Sequence, residues 1–430
     1  MATPLRINAD RLNDTLQTTC TQWGALAPPS TGMCRLTLSH DDKLLRDWLV
    51  DECKKLGCEV KIDQMGNIFA IRPGTAKNQL PIGIGSHLDT QPDGGRYDGI
   101  LGVQAALEIL RTLHENKVET HCPIALIDWA NEEGARFPSS MMASGVWTTK
   151  SSTSLEENWG KPDKDGVTIK TALEEIGYLG TTPCDYRENS IQCHIELHIE
   201  QGPLLERAGK SLGVVTSVQG MKWFSMRTTG KEGHTGTMAM VDRADALVTA
   251  SRLITAVRDM ATKTGLGVAT VGVINSDSSS MCIIPGGVDF IIDIRCSTDE
   301  MVDQLSTAIF AEFDDIIKQE NNGTAYEVTG TWSLPEAKFH TNCIDAVRRG
   351  ASAELPEAQI MDMKSRAGHD SAWVSQVCPT SMIFVPSKDG ISHNPNEYTS
   401  PEHCALGGQV LLNSVLEYDE RLIHHSLDIM

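Results

Sequence analysis

The strand-and-helix alternation of this chain is interrupted once by a block of different order, and then resumes. Up to about Gly213, short apolar strands alternate with amphipathic helices. Helical spacing runs over Leu44–Leu56, and Ile68–Ile71 reads as a short strand. Ile82–Ser86 is an apolar strand running straight into His87, and Ile100–Leu113 again has helical spacing. Ile124–Trp129 is a further apolar strand. Ile191–Ile199 alternates, with Ile195, Leu197 and Ile199 on one face and His194, Glu196 and His198 on the other. Ser151–Gly166, polar and containing Gly and Pro, reads as a long surface loop. The block that follows is a strand over Trp223–Thr228, a helix over Ala244–Met260, strands over Val268–Ile274 and Val288–Arg295, a helix over Met301–Lys318 and a strand over Tyr326–Trp332. That β-α-β-β-α-β order is the split arrangement of a ferredoxin-like domain. After Pro335 a strand, Ile383–Val385, and a closing helix, Ala405–Tyr418, resume the first pattern. The chain is therefore expected to form an α/β main domain in two pieces, residues 1–213 and 333–430, with residues 214–332 inserted as a second domain.

At 430 residues, two or three domains with real cores are possible, and 40% apolar with 22% charged residues is ordinary for a globular protein. The formal net charge of −20 disfavours nucleic acid and anionic membranes as partners. It also means that an anionic substrate needs a local cationic clamp. Twelve cysteines lie without a Cys-x-x-Cys pair and are expected as reduced, buried thiols. Residues 1–13 lack the apolar segment of a secretory signal, and no window approaches the roughly 18 apolar residues of a membrane span. Cytoplasm is the expected location.

His87, Asp98, Glu133, His198 and His393 lie at strand ends, helix starts or in loops beside them, where an α/β sheet collects its active-site groups. Three imidazoles and two carboxylates suit zinc and suffice for two ions sharing a carboxylate. In Gly85-Ser86-His87-Leu88-Asp89, Asp89 is placed to accept the proton on the ring nitrogen that His87 does not use as a ligand. Glu132 and Glu133 are adjacent acids after an apolar strand, so one can ligate while its neighbour handles protons. Taken singly, each residue has a plainer reading. Alone, Asp98 reads as a helix N-cap, the Glu pair as a solvated turn, His198 as a core histidine and His393 as an ordinary loop residue.

The segments GSHLDTQPDGGRYDGILG, NEEGARF, HIELHIEQGP, GHTGTMAMVDRADAL, DFIIDIR, RAGHDS and ISHNPNEYT carry a resemblance. The chain resembles the dinuclear zinc amidohydrolases of the hydantoinase/carbamoylase type. These include N-carbamoyl-L-amino acid amidohydrolase, β-ureidopropionase and allantoate amidohydrolase, within the aminoacylase/carboxypeptidase-like superfamily. NEEGARF and HIEQGP are the most specific segments. The resemblance implies an α/β fold: a mixed-sheet catalytic domain with helices on both faces, plus an inserted ferredoxin-like α+β domain that acts as lid and dimerisation domain. It implies a homodimer, two zinc ions per subunit (replaceable by manganese, cobalt or nickel) and a small anionic ureido or amide substrate. The implied reaction hydrolyses a linear C–N amide, turning an N-carbamoyl amino acid into amino acid, ammonia and carbon dioxide. Allantoate hydrolysis, or peptidase or aminoacylase activity on the same scaffold, is the alternative.

By position, the resemblance assigns His87, Asp98 and His198 to one zinc, and Asp98, Glu133 and His393 to the other. Glu132 is the implied general base and His234 the implied oxyanion donor, and Asp89 is counted with them among the catalytic residues. Gln201, His234, Arg295, Gly368 and His369 fall at substrate-binding positions, with Arg295 as the carboxylate clamp. Without the resemblance, Gly233-His234-Thr235-Gly236 is a turn, Arg295 an edge ion pair, Gln201 a residue satisfying the turn before Pro203 and His369 a helix cap. One position departs from the family pattern. Cys282 stands where the family usually has a substrate-holding asparagine.

Overall fold

A computed structural model of the protein describes residues 5–76 and 78–424. The described chain forms two compact units: one runs up to Ser217 and resumes at Lys338, and the other is Val218–Ala337. Residue 213, where the sequence pattern changes, lies inside the strand Leu212–Val218.

The first unit is built on a mixed sheet. Across it run Glu59–Ile62, Ile68–Arg72, Ile124–Trp129, Ile82–His87, Cys193–Ile199, Thr380–Val385 and Leu212–Val218. The four strands from Ile124–Trp129 to Thr380–Val385 are parallel, and their outer neighbours are antiparallel. Helices cover both faces, which explains why the central strands read as unbroken apolar runs. Ile124 and Leu126 enter one core with the helices Ala9–Gln22, Ile100–Glu115, Thr341–Ser352 and Pro401–Ile423. Ala125, Ile127 and Trp129 point the other way, towards Met142–Trp147, Ile169–Ile176 and Asp370–Val374.

The same two-sided covering changes the meaning of Cys193–Ile199. Ile195, Leu197 and Ile199 share the first core, but His194, Glu196 and His198 on the other face are buried too. Glu196 there accepts hydrogen bonds from Ser86 and Ser371, each at 2.6 Å. A period-2 polar face in a central parallel strand marks a buried polar layer, not solvent.

Two expectations need correction. The stretch read as a loop over Ser151–Gly166 contains a helix, Leu155–Trp159. Ser154 caps the Glu157 amide while the Glu157 carboxylate accepts from the Ser154 amide, a capping box whose Ser-x-x-Glu spelling stood in the sequence. The thiols are not all buried: all twelve cysteines are unpaired, but Cys282 is exposed and Cys34 half-buried.

The second unit has four antiparallel strands in the order Ala325–Leu334, Gly220–Thr229, Gly287–Cys296, Gly267–Ser276. Its helices, Ala246–Thr264 and Asp299–Glu320, join a core with Phe224, Phe290 and Ile292 from the sheet. In chain order the sheet reads fourth, first, third, second, the split β-α-β-β-α-β topology. Gly267–Ser276 forms an edge on which Val268, Val273 and Ile274 stay exposed. A short strand pair, Gly233–His234 with Ile283–Ile284, was not foreseen. No helix among the described residues is long and apolar enough to cross a membrane.

Candidate metal centre

The carboxyl ends of the four parallel strands bring the first five candidates together. His87 ends its strand, and His198 is the penultimate residue of Cys193–Ile199. Glu132 and Glu133 follow Ile124–Trp129, and His393 sits in the loop after Thr380–Val385. The turn into the glutamates is made by Asn131 at φ +55°, whose amide donates to the Phe137 and Ser139 carbonyls at 3.1 and 3.0 Å. Asparagine tolerates this left-handed backbone better than most side chains.

Asp98 stands at the centre. Its Oδ1 lies 3.0 Å from His198 Nε2 and 3.8 Å from His87 Nε2. Its Oδ2 lies 3.2 Å from His393 Nε2, which is 3.3 Å from Glu133 Oε2. His87, Asp98 and His198 thus form one possible ligand group, and Asp98, Glu133 and His393 another. A third candidate group, Glu196, His198 and His369, shares His198 with the first. Asp98 is not the helix cap: Gly99 occupies that position and no side chain caps there.

Two histidines have their tautomers set by main-chain carbonyls. His87 Nδ1 donates to Asp89 O at 3.0 Å and His198 Nδ1 to Ile199 O at 2.8 Å. Both rings therefore turn Nε2 inward towards Asp98, the nitrogen that ligation would use. Asp89 was expected to receive the His87 proton through its carboxylate, and its carbonyl does so instead. The carboxylate, 3.9 Å from Nδ1, accepts the main-chain N–H groups of Glu132 and Glu133, both at 3.3 Å. Two neighbouring amides satisfied by one buried anion hold the paired acids in place.

Gly99 makes the close approach possible. Its φ is +67°, and a Cβ there would lie 2.3 Å from His87 Nε2. Gly99→Ala is expected to weaken zinc binding to the apoprotein by about tenfold or more, because His87 must rotate away. Titration against a chromophoric chelator checks this, and wild-type affinity would remove the steric argument.

The electrostatics call for cations. Burial, then Asp370 and Glu133, pushes the Glu132 carboxyl well above the usual range, and burial with Asp98 raises Glu133 to about 7. Burial followed by Glu133 raises Asp89. Burial lowers His87 to about 4. For His198 and His393 burial works downward, but hydrogen bonding to Asp98 wins and raises both to about 9. Asp98 is held well below its usual range by those histidines against the effect of burial. Buried carboxylates in this number need compensating positive charge. Imidazole nitrogen and carboxylate oxygen fit zinc, and also manganese, cobalt or nickel.

The remaining candidates are less uniform. Gln201, at φ +57°, donates through Nε2 to Asp98 Oδ2 at 2.7 Å and so contacts the shared carboxylate itself. His369 is buried, with Nε2 2.9 Å from Ser365 Oγ and its ring edge-on to His198 at 4.5 Å. It occupies the N-cap position of the helix Asp370–Val374 with no side-chain capping hydrogen bond, and Gly368 beside it is half-buried. His234 and Arg295 belong to the second unit. His234 is exposed, and its Nδ1 accepts the Gly236 amide at 3.0 Å, which leaves the proton of a neutral ring on Nε2. Arg295, near the end of Gly287–Cys296, donates to Asp293 Oδ2 at 2.8 Å. Cys282 flanks His234: its carbonyl accepts the Thr235 amide at 3.1 Å. Sequence reasoning missed Gln91, which donates to Glu133 Oε2 at 2.8 Å, and also Ser392 and Glu397. All three lie within the segments quoted above, but nothing in their local spacing signals a role.

Peptidase family M20/M25/M40 matches residues 83–417. The chain belongs to that family. It is 37% identical over 421 residues to the N-carbamoyl-L-amino-acid amidohydrolase of Rhizobium meliloti, an alignment covering 96% of this chain and 97% of that protein. It is 33% identical over 401 residues to the allantoate amidohydrolase of Bacillus subtilis (strain 168), covering 91% and 93%. The crystal structure of an amidase of the hydantoinase/carbamoylase family from Burkholderia vietnamiensis matches with a TM-score of 0.88 at 39% identity, over 97% of this chain and 99% of that one. The protein is thus an M20 hydrolase of the hydantoinase/carbamoylase kind, with the metal-dependent chemistry of M20 enzymes and a converged set of residues to support it.

Proposed function

We propose that this M20 hydrolase cleaves the carbamoyl amide of an N-carbamoyl amino acid or related ureido acid, releasing amino acid, ammonia and carbon dioxide. The observation that carries the reading is Asp98: one oxygen faces His87 and His198, and the other faces His393, which in turn meets Glu133. His87, Asp98 and His198 would hold one zinc ion, and Asp98, Glu133 and His393 would hold a second. When bound, such ions acidify water and polarise a carbonyl.

The chain's own residues do the rest. Glu132, with Oε2 3.7 Å from His87 Nε2, takes a proton from the attacking water and returns it to the departing nitrogen. Asp89 keeps the Glu132 main chain still through its amide contact. His234, a donor at Nε2, is assigned to the developing oxyanion, a type of contact typically worth about 3 kcal/mol of barrier. Arg295 is assigned to the substrate carboxylate, whose shape its planar fork matches. Gln201, Gly368 and His369 are assigned to substrate positioning. N-carbamoyl amino acids and allantoate both join a ureido group to a carboxylate, which favours this class over simple peptides. The exposed apolar edge strand Gly267–Ser276 supports a homodimer formed through the second unit, since such edges are usually covered. Unpaired cysteines support a reducing compartment, the cytoplasm.

A panel of N-carbamoyl-β-alanine, N-carbamoyl-L-amino acids, allantoate, an N-acetyl amino acid and a dipeptide, assayed for ammonia and free amine, tests the reading. The best ureido substrate is expected to exceed the acyl and peptide substrates in kcat/KM by about a hundredfold or more. Amine release from the dipeptide with no ammonia from any ureido acid would replace the carbamoylase reading with a peptidase one.

A further inference from the structure

Glu397 has no part in the chemistry just described, yet it is a carboxylate buried beside other carboxylates. It is 5% exposed. One oxygen, Oε1, accepts the main-chain N–H groups of Tyr97 and Asp98, each at 3.1 Å. The other, Oε2, faces the Ser392 hydroxyl at 2.9 Å, and that hydroxyl is also 3.1 Å from Asp98 Oδ2. Gly95 makes room for it: a Cβ there would sit 2.1 Å from Oε1. Glu397 is four residues from His393, and the turn between them is closed by the Glu397 amide donating to Asn394 O at 3.0 Å. The Thr31 hydroxyl holds the same turn through Pro395 O at 2.8 Å.

Between the bridge of Gly94 with Met33 and the helix that begins at Ile100, residues 95–99 lie in neither strand nor helix, so no ladder or helical turn includes Asp98. An anion placed near Asp98 costs stability unless it has a task, and a neutral side chain of similar volume is ordinarily the cheaper choice. An amide oxygen can take the two main-chain N–H groups, but the amide nitrogen beside it cannot accept the Ser392 proton. A carboxylate does both when the Ser392 hydroxyl directs its one proton to Glu397, the nearer of its two acceptors. We infer that Glu397 is a positioning residue that ties the loop of His393 to the main chain of Asp98, and so sets the geometry of the Asp98, Glu133 and His393 group. The inference rests on the two-ion reading of the site. It assigns Glu397 to one of the two ions more than to the other, a distinction a general structural role would not produce.

The test is zinc titration of metal-free protein against a chromophoric chelator, for wild type, His393→Ala, Glu397→Ala and Glu397→Gln. His393→Ala identifies which dissociation constant belongs to the Asp98, Glu133 and His393 group. In Glu397→Ala that same constant is expected to rise about 10–100-fold, and in Glu397→Gln by a smaller factor. The other constant is expected to change less than about threefold, and the melting temperature of the metal-free variants to stay within about 2 °C of wild type. If Glu397→Ala does not fold, Glu397→Gln decides by the same split. Wild-type constants in the variants overturn the clamp while leaving the two-ion reading intact, and so does an equal rise in both constants with a lowered metal-free melting temperature. A wild type that binds fewer than two ions overturns the two-ion reading, and the clamp falls with it.

Discussion

Glu132→Gln is expected to lower kcat on the best ureido substrate by about 10²–10⁴-fold, the usual range for losing a positioned general base, while zinc content stays at the wild-type level. The substitution keeps volume and one oxygen but removes the site that accepts a proton. Glu132 also lies outside both three-residue groups built on Asp98, so its loss leaves those ligand atoms in place. Its main chain stays anchored, because the N–H that meets Asp89 at 3.3 Å belongs to the backbone. KM is expected to move far less than kcat, since proton transfer is needed only in the transition state. Paired measurement of kcat and bound zinc checks this. An unchanged rate removes Glu132 from the mechanism, and lost zinc recasts it as a ligand.

Asp98→Ala is expected to have the wider effect. Each of the two groups falls from three side chains to two, because Asp98 belongs to both. Activity is expected to drop more than about 100-fold, since the loss of partners merely supporting metal ligands already costs 10–100-fold. Both zinc ions are expected to be lost to a chelator concentration that wild type withstands. His393→Ala, by contrast, is expected to lose one. Metal analysis after dialysis separates the two variants. A full zinc complement in Asp98→Ala would mean that this carboxylate bridges nothing. The histidines follow as well: against burial, hydrogen bonding to Asp98 is the leading influence that raises His198 and His393, so without it both rings lose that support for the charged form.

Much of the fold was legible because its signals are local. Ile82–Ser86 and Ile124–Trp129 are short apolar runs between breakers, and both became central strands. The inserted block was readable because each element carried its own periodicity, and Gly220–Thr229, Ala246–Thr264 and the rest follow in the expected order. The helix Leu155–Trp159 was hidden by polar composition although its capping box was spelled out. Helices at Ala9–Gln22 and Thr341–Ser352 were not anticipated, because their apolar stripes are thin and acquire meaning only against Pro401–Ile423.

The site divides in the same way. His87, Asp98, Glu133, His198 and His393 were singled out by residue type and position after strands, and the family resemblance gave them and Glu132 their expected roles. Asp89 could be named too, but its partner could not: a two-residue spacing does not say whether carboxylate or carbonyl reaches the ring. Gln201 was placed against substrate, and the structure puts its amide on Asp98.

What the sequence determined by itself was the order of the elements, through short-range periodicity, and the kind of chemistry, through side-chain identity taken together with the family resemblance. What tertiary structure alone decided was which atoms meet. Glu397 reaches the amides of Tyr97 and Asp98 across some 300 positions of chain. The physical reason is that a hydrogen bond is set by a few tenths of an ångström and by direction. The packing of helices and strands from distant segments fixes those quantities, and no local pattern encodes them.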